Sequence, residues 1–239
     1  MSLRTAFTSP EHKRQHVRAL FATIADRYDL ITGLLSFGRD RAWKRRLIRE
    51  AALTRGEQVI DLACGTGDIA FLAADQGATV VGLDITTRMI ELAQAKAVGR
   101  QAAPDFLVGD MMALPFATAS ADAVTTGYGL RNVPGLDAAI DEIARVLRPG
   151  GRLLSLDFNR PSWAPIRFVY LVYLTLVGSA LGWVLHGDPD TYRYIPESIR
   201  RYPGAHGVAD RLRQRGFADV RVIPILGGFM TLHVAKKVG

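Results

Sequence analysis

A glycine-containing turn between positions 59 and 68 is the part of this 239-residue chain whose residue types most clearly indicate chemistry. An apolar run ends there in an aspartate and breaks into the turn, as a buried strand does before a nucleotide-binding loop. Gly65, Gly67 and Ala70 satisfy the pattern G-x-G-x-x-A, in which glycine lets the backbone approach a ligand closely. Asp84 follows 19 residues after Gly65, where a carboxylate can bind ribose hydroxyls. A dinucleotide and S-adenosylmethionine both fit this pattern.

Three aspartates, Asp61, Asp84 and Asp110, come at the ends of successive predicted strands, which places them along one edge of a parallel sheet. Asp110 is followed by Met111 and further apolar residues, a combination that suits the amino group and flat faces of an adenine ring. A row of carboxylates suits the cationic ammonium and sulfonium of S-adenosylmethionine better than an anionic pyrophosphate. Solvated turn residues are the alternative interpretation of each aspartate alone. We therefore expect S-adenosylmethionine as the cofactor, and a nicotinamide oxidoreductase is disfavoured.

Hydrophobic periodicity predicts the elements that position these residues. Two helices come first, and buried strands then alternate with helices, which is typical of a doubly wound parallel sheet. The predicted strands cover 59–62, 79–83, 105–109, 122–127 and 152–157, and the helices between them cover 68–75, 87–98 and 136–147. A last helix at 207–215 leads to two β-rich runs separated by Gly227 and Gly228, which indicates an antiparallel hairpin. The expected fold class is α/β, with a mostly parallel seven-stranded Rossmann-like sheet.

We expect one domain over residues 1–239, because an open α/β sheet commonly uses this length for a single core. Its predicted parts are the N-terminal helices 11–53, a cofactor-binding core 56–158, an apolar lid insertion 159–206, and a C-terminal helix and hairpin 207–237.

Seven segments resemble one family. They are RYD at 27–29, LLSFGRDRAWKRR at 34–46, DLACGTGD at 61–68, LPF at 114–116, GLRNV at 129–133, RVLRPGG at 145–151 and YRYIPESI at 192–199. The chain resembles, over nearly its whole length, the menaquinone and ubiquinone biosynthesis C-methyltransferases. These are class I S-adenosylmethionine-dependent enzymes that methylate a ring carbon of a prenylated quinol.

The resemblance implies cofactor contacts at Thr66, Asp84, Asp110 and Met111. Gly127 stands where the family often has a serine, so one hydroxyl contact does not carry over. The implied acceptor is demethylmenaquinol. A ubiquinone-pathway benzoquinol or another small-molecule methylation is the alternative, because a fold does not dictate its substrate.

Carbon methylation requires the quinol to lose a hydroxyl proton, because the oxyanion makes the ring carbon nucleophilic. Arg131 and Asn132 directly follow the fourth predicted strand, and a fixed cation with an amide suits this anion. We therefore predict catalytic roles for both, a structural arginine being the alternative. Further candidates are Tyr128, Tyr192, Arg193 and Tyr194. The tyrosine rings could flank the quinol or the sulfonium, with core packing as the alternative. His186 is a candidate base.

Composition and charge constrain the partners. The formal charge of +7 indicates an anionic partner, and a single cysteine is typical of a reducing compartment. A nucleic-acid methyltransferase is disfavoured, because the segment after the fourth strand lacks the usual Asn or Asp, two prolines and aromatic. A noncatalytic cofactor-binding protein is a third alternative. Neither a metal nor a nucleic acid is expected, and the oligomeric state is not indicated.

The uncharged stretch 168–185 meets the minimum length of a membrane span. A single crossing would separate the C-terminal hairpin from its sheet, so the stretch is predicted to be a lid that receives a polyprenyl tail. A basic helix is expected to meet anionic lipid, with a solvated helix face as the alternative; its residues are Arg39, Arg41, Lys44, Arg45, Arg46 and Arg49. The predicted location is cytoplasmic, with peripheral attachment to the inner face of the membrane.

Overall fold

A seven-stranded sheet with the order β3-β2-β1-β4-β5-β7-β6 forms the centre of the computed structural model, which describes residues 3–161, 163–188 and 191–239. The strands are β1 (Gln58–Leu62), β2 (Thr79–Asp84), β3 (Asp105–Val108), β4 (Ala121–Gly127), β5 (Leu147–Phe158), β6 (Phe217–Ile225) and β7 (Met230–Lys237). The first five are parallel to one another, and β7 pairs antiparallel with both β5 and β6. The predicted fold class is confirmed.

Ten α-helices lie within the described ranges. They are α1 (Leu3–Ala6), α2 (Pro10–Ile24), α3 (Tyr28–Leu35), α4 (Asp40–Ala51), α5 (Asp68–Ala74), α6 (Thr87–Ala97), α7 (Leu136–Val146), α8 (Ala164–His186), α9 (Tyr194–Arg201) and α10 (Gly204–Gln214). Two helices are predicted before β1, whereas the described residues form four, α1 to α4, and a 3-10 turn, Ala25–Arg27, separates α2 from α3. Asp26 pairs there with Arg88 while Arg27 donates to the Leu185 carbonyl, so tertiary contacts on different sides bend the chain.

The two faces of the sheet bury separate hydrophobic clusters. In β1, Val59 packs towards α4 and α5, whereas Ile60 and Leu62 pack towards α7 and α10. Successive strand residues point to opposite faces, so a strand covered on both sides is apolar almost throughout. Because β1 to β5 are parallel, their carboxyl ends meet at one edge of the sheet. The strand order reverses between β1 and β4, and open α/β sheets bind ligands at such a point.

Helices α2, α3, α8 and α9 pack against one another, and residues of all four line a cavity at this edge. Ile24 and Ile31 bury against Tyr192, and Leu171 and Leu174 of α8 bury against α9. Gly178 allows close packing, since a Cβ there would lie 3.2 Å from the Tyr192 carbonyl oxygen. These contacts join the N-terminal helices to the predicted lid insertion.

Helix α8 is, among the described residues, the one helix long and apolar enough to cross a bilayer by length and composition. It lies in the chain between β5 and β7, which pair with each other over Arg152–Lys236 to Phe158–Met230. A single crossing is incompatible with that pairing, because it would place the two strands on opposite sides of the membrane. Its outer face is nevertheless strongly exposed: Phe168, Val169, Leu176, Trp183 and Val184 each keep about two thirds of their surface in solvent.

Candidate active site

The glycine turn is held in place by a buried carboxylate. Gly65 and Gly67 have φ angles of +55° and +89°, in the left-handed region that favours glycine. The Gly65 N–H donates to Asp84 Oδ2 at 2.9 Å, and the Thr86 N–H donates to Asp84 Oδ1 at 2.8 Å. Burial raises the pKa of the Asp84 carboxyl, although these backbone donors oppose the effect. The turn and the end of β2 are thereby fixed relative to each other.

A first cavity lies over this turn, and we refer to it as the cofactor cavity. Five of the residues predicted to bind the cofactor line it: Gly65, Asp84, Asp110, Met111 and Gly127. Asn132, predicted to be catalytic, also lines it. The lining is completed by Arg14, Val17, Phe21, Tyr28, Ala63, Leu83, Ile85, Met89, Gly109, Tyr128, Gly129, Val133 and Pro134.

Three predicted cofactor residues do not line this cavity: Asp61, Thr66 and Gly67. Asp61 is fully buried on the same face of β1 as Val59, accepts a hydrogen bond from Thr125 Oγ1 at 2.7 Å, and has its pKa raised by burial to about 7. Thr66 is also buried and donates through its hydroxyl to Asp29 Oδ1 at 2.7 Å. The expected row of three carboxylates therefore reduces to two that face the cavity, because strand alternation turns Asp61 into the core.

Gly67 is the N-cap residue of α5 and is packed against two aromatic rings. A Cβ there would lie 2.8 Å from Phe106 Cζ and 2.9 Å from Phe71 Cε2. Glycine is therefore required for packing as well as for its positive φ angle.

Helix α2 contributes cavity residues that the sequence did not reveal. Arg14 Nε lies 3.2 Å from Asp110 Oδ2, and Phe21 lines the cavity. Lys13 donates to the carbonyl oxygens of Arg131 and Val133, and burial together with Arg131 lowers the pKa of Lys13 to about 8. The amphipathic pattern of this helix was visible in the sequence, but no local signal indicates which surface it covers.

A second and larger cavity, of about 690 Å³, adjoins the first and is mainly apolar. Arg131, Tyr192 and Tyr194 line it, as do Leu20, Ile24, Ile31, Thr32, Leu35, Ser36, Phe37, Trp43, Phe158, Trp163, Pro165, Ile166, Val169, Tyr170, Tyr173, Leu174, Thr191, Ile195, Leu226, Phe229 and Met230. Phe21, Tyr28 and Tyr128 line both cavities. The two cavities therefore adjoin at these three aromatic residues.

Arg131 is a buried cation in the wall of the second cavity. Its Nε lies 3.0 Å from Asp157 Oδ1, and its Nη1 donates to Asn132 Oδ1 at 2.8 Å and to Ser198 Oγ at 3.1 Å. Burial raises the pKa of Asp157, and the Arg131 charge opposes this effect. Asn132 in turn donates to the Tyr128 carbonyl at 2.7 Å, so the predicted Arg131 and Asn132 form one hydrogen-bonded unit.

Tyr192 and Tyr194 are aromatic residues in the wall of the second cavity. Tyr194 is buried and stacks on Phe7 with ring centroids 5.7 Å apart, and burial raises the pKa of its phenol. The Tyr192 hydroxyl lies 2.9 Å from His186 Nε2, and burial raises the Tyr192 pKa to about 12. Burial also lowers the pKa of His186, the candidate base.

A buried polar chain lies beside the shared rings. The Tyr128 hydroxyl donates to Asp40 Oδ1 at 2.6 Å, Lys44 Nζ lies 2.6 Å from Asp40 Oδ2, and Lys44 Nζ donates to Asp68 Oδ2 at 2.9 Å. The placement of Lys44 on a lipid-facing basic surface is wrong, since its side chain is 7% exposed. Burial alone would lower the pKa of Lys44, but Tyr28, Asp40 and Asp68 raise it.

The strand order and this edge define the class of the protein. A sheet of order 3-2-1-4-5-7-6 with an antiparallel seventh strand, a glycine turn and a carboxylate after β2 are the features of a class I S-adenosylmethionine-dependent methyltransferase. A solved S-adenosylmethionine-dependent methyltransferase from Thermotoga maritima shares the fold with a TM-score of 0.66 at 16% identity, covering 92% of this chain and 99% of that chain. The chain therefore has the fold of this class.

A model described as the ubiE/COQ5 methyltransferase family matches residues 9–237, and the chain belongs to this family. One similar protein is a demethylmenaquinone methyltransferase of Beutenbergia cavernae, 41% identical over 93% of this chain and 91% of that protein. Another is the ubiquinone/menaquinone biosynthesis C-methyltransferase UbiE of Rubrivivax gelatinosus, 40% identical over 94% of this chain and 88% of that protein.

Proposed function

We propose that this S-adenosylmethionine-dependent enzyme methylates a ring carbon of a prenylated quinol in quinone biosynthesis, with demethylmenaquinol as the acceptor. The main observation that supports this proposal is an apolar cavity of about 690 Å³, which shares wall residues with the cofactor cavity and is lined by the buried cation of Arg131. The names of the two curated relatives support this acceptor class. A ubiquinone-pathway benzoquinol is the second candidate, favoured by the dual name of the Rubrivivax relative.

The residues of the first cavity fit the cofactor. The glycine turn leaves room for close backbone approach at Gly65, and the Asp84 carboxylate can accept from ribose hydroxyls. Asp110 can accept from the adenine amino group, while the apolar Met111 can lie against the ring. When bound, S-adenosylmethionine supplies an electrophilic methyl group.

The chemical work of the protein is to align the acceptor and to stabilise its oxyanion. Positioning of the two reactants can contribute about 7 to 11 kcal/mol. The Arg131 guanidinium donates to Asn132, and the Asn132 amide donates to the Tyr128 carbonyl, so both groups are already fixed and need little reorganisation to stabilise a quinolate oxygen. Residues of α8 and α9 line the same cavity, and exclusion of water by these helices would strengthen the interaction further.

The aromatic and aliphatic walls of the second cavity suit an isoprenoid tail. Each buried methylene contributes about 0.8 kcal/mol, so a tail of several isoprene units would add substantially to affinity. Phe37, Trp163 and Val169 line this cavity and also remain more than half exposed. The tail can therefore leave the cavity between α3 and α8.

The acceptor is tested by deleting the gene and analysing the quinone pool by mass spectrometry. We expect accumulation of a menaquinone precursor that lacks one methyl group, and complementation should restore the mature quinone. Accumulation of a benzoquinone precursor alone would select the second candidate. An unchanged quinone pool, together with failure of the purified protein to methylate short-chain quinols, would contradict the proposal.

We further propose that the protein is cytoplasmic and attaches peripherally to the membrane through the outer face of α8. Phe168, Trp183 and Val184 expose about two thirds of their surfaces, and the exposed Arg39 and Arg41 follow Phe37 at the cavity mouth. Such a face combines apolar insertion with attraction to anionic lipid.

Membrane attachment is tested by sedimentation with vesicles that contain phosphatidylglycerol. The double variant Phe168→Ser/Trp183→Ser should bind these vesicles at least about tenfold more weakly than the parent, since two large apolar side chains are lost. Val98→Ser is the matched control, because Val98 is 82% exposed at the end of α6, outside this face. Equal binding by the double variant and the parent would refute the assignment of this face.

A further inference from the structure

The buried chain of Tyr128, Asp40, Lys44 and Asp68 is not used in the function proposed above. The Tyr128, Asp40 and Lys44 side chains are all at least nine-tenths buried, whereas Asp68 is 35% exposed. Burying a carboxylate and an ammonium costs free energy unless they are well paired, and such groups cluster at functional sites. Tyr128 also has a φ angle of +62°, which is unfavourable for a bulky residue. Strained residues of this kind concentrate at active sites.

The position of Tyr128 connects this chain to the reacting atoms. Tyr128 lines both cavities, so its ring lies where the methyl donor and the quinol ring must meet. Among the described residues that line the second cavity, none is a carboxylate or a histidine. A proton leaving the quinol hydroxyl must therefore first reach a side-chain hydroxyl or a water molecule. The Thr32 and Ser36 hydroxyls in this lining donate to backbone carbonyls, which are poor proton acceptors. Tyr128 is the phenol at this junction whose hydroxyl donates to a carboxylate.

We propose that Tyr128 and Asp40 form the proton acceptor for the quinol hydroxyl, an inference that rests on the function proposed above. The quinol O–H bond breaks as Tyr128 Oη takes that proton, and the original Tyr128 O–H bond breaks as Asp40 Oδ1 takes the other. The electron pair of the quinol O–H bond stays on the oxygen and makes the ring carbon nucleophilic. This carbon forms its bond to the methyl group as the sulfur–methyl bond breaks and leaves its electron pair on sulfur. The ring carbon then loses its proton to water, and Asp40 returns the first proton through Tyr128 to the oxygen. These steps restore the aromatic quinol and the relay, and one proton is released to solvent overall.

Lys44 and Asp68 act as positioning residues for Asp40. Lys44 Nζ holds Asp40 Oδ2 at 2.6 Å, which orients the other carboxylate oxygen towards Tyr128.

Other titratable or charged groups also face this relay. Lys96 lies 3.7 Å from Asp68, and Arg41 also acts on Asp68. Asp61 interacts with Lys44, Asp84 with the Tyr28 phenol, and the Arg131–Asp157 pair lies beyond Tyr128. Arg131 neutralises Asp157, which leaves Asp40 as the carboxylate that a single hydroxyl connects to the cavity junction.

The pair formed by Tyr192 and His186 is the competing relay, since its two side chains are also hydrogen-bonded. Tyr192 lines the second cavity but not the cofactor cavity, so it lies farther along the acceptor site. The reacting carbon and the ionising hydroxyl belong to one ring and must be near the methyl donor. The geometry therefore favours Tyr128.

The relay is tested with Tyr128→Phe and Asp40→Asn in methyl transfer to a short-chain demethylmenaquinol. Each variant should lower kcat by about 100-fold or more, the usual contribution of a general base, while calorimetry shows a cofactor Kd within about threefold of the parent. Tyr202→Phe is the matched control, because it removes a buried phenol hydroxyl that lines neither cavity. This control should retain the parent kcat.

Two further readouts separate proton transfer from a structural role. The kcat of Asp40→Asn should rise about tenfold per pH unit across neutral pH, because hydroxide must then remove the proton, whereas the parent should show a flatter profile. An acceptor with an electron-withdrawing ring substituent, already ionised at the assay pH, should reduce the loss in both variants to less than about tenfold.

The outcomes distinguish the relay from the function on which it rests. A parent that methylates no quinol overturns both. An active parent with an unaffected Tyr128→Phe, or with a loss that the acidic acceptor does not rescue, overturns only the relay. The relay is also overturned if His186→Asn reproduces the pH profile and the rescue while Asp40→Asn does not. If Asp40→Asn fails to fold, the Tyr128→Phe result alone tests the relay. Phenylalanine keeps the aromatic ring and its packing and removes only the hydroxyl.

Discussion

Replacing both members of the buried Arg131–Asp157 ion pair should show whether Arg131 has a catalytic role or only a structural one. The two side chains are 6% and 2% exposed, and their charged atoms lie 3.0 Å apart. Arg131→Met leaves Asp157 buried without its counter-ion, and Asp157→Asn leaves the guanidinium in the same condition. Each single change should lower the free energy of unfolding by about 3 to 5 kcal/mol. The double variant Arg131→Met/Asp157→Asn should lie within about 1 kcal/mol of the parent, because neither charge is then left unpaired.

The two roles predict different activities for the stable double variant. If Arg131 stabilises the quinolate, the double variant should fold and bind the cofactor while its kcat remains about 10² to 10³ lower. If Arg131 only anchors the loop after β4, restored stability should restore methylation. Urea unfolding, calorimetry and methyl transfer to a short-chain quinol measure the three quantities on one preparation. A double variant with kcat within about threefold of the parent would refute the catalytic role.

The remaining predictions concern the core and the cofactor turn. Burial raises the pKa of Asp61 to about 7, so the folded state holds its proton more tightly than the unfolded chain, and this stabilisation is lost as pH rises from 4 to 7. The free energy of unfolding of Asp61→Asn should therefore increase relative to that of the parent by up to about 4 kcal/mol between pH 4 and pH 8, as measured by urea unfolding. Gly67→Ala should cost more stability than Gly99→Ala in thermal unfolding, because both have positive φ but only Gly67 would contact Phe106 at 2.8 Å. Asp84→Asn should weaken cofactor binding about 10- to 100-fold in calorimetry, because hydrogen bonds to a charged acceptor are lost.

Each of these three outcomes can contradict its premise. A pH-independent difference between Asp61→Asn and the parent would mean that Asp61 does not titrate differently in the folded protein. Equal losses for the two glycine variants would remove packing as the reason for Gly67. An unchanged cofactor Kd in Asp84→Asn would place the ribose away from the end of β2.

The order of elements could be predicted from the sequence because it depends on local patterns. The apolar runs before Asp61 and Asp84, the helical spacing of 136–147 and the paired glycines of the C-terminal hairpin each contain their own signal. The glycine turn predicted a site at the carboxyl edge of the sheet for the same reason. The bend at residues 25–27 could not be predicted, because contacts to α6 and α8 cause it.

The sequence by itself therefore determined the fold class, the cofactor edge and the position of Arg131 and Asn132 directly after the fourth strand, all of which follow from short-range pattern and strand ends. Only the tertiary structure decided that Asp61 faces the core, that Lys44 is buried between Asp40 and Asp68, and that Tyr128 lies between two cavities. Those outcomes depend on which distant elements pack together. A side chain's neighbours across the fold, rather than its neighbours in the chain, set its burial and hydrogen bonds.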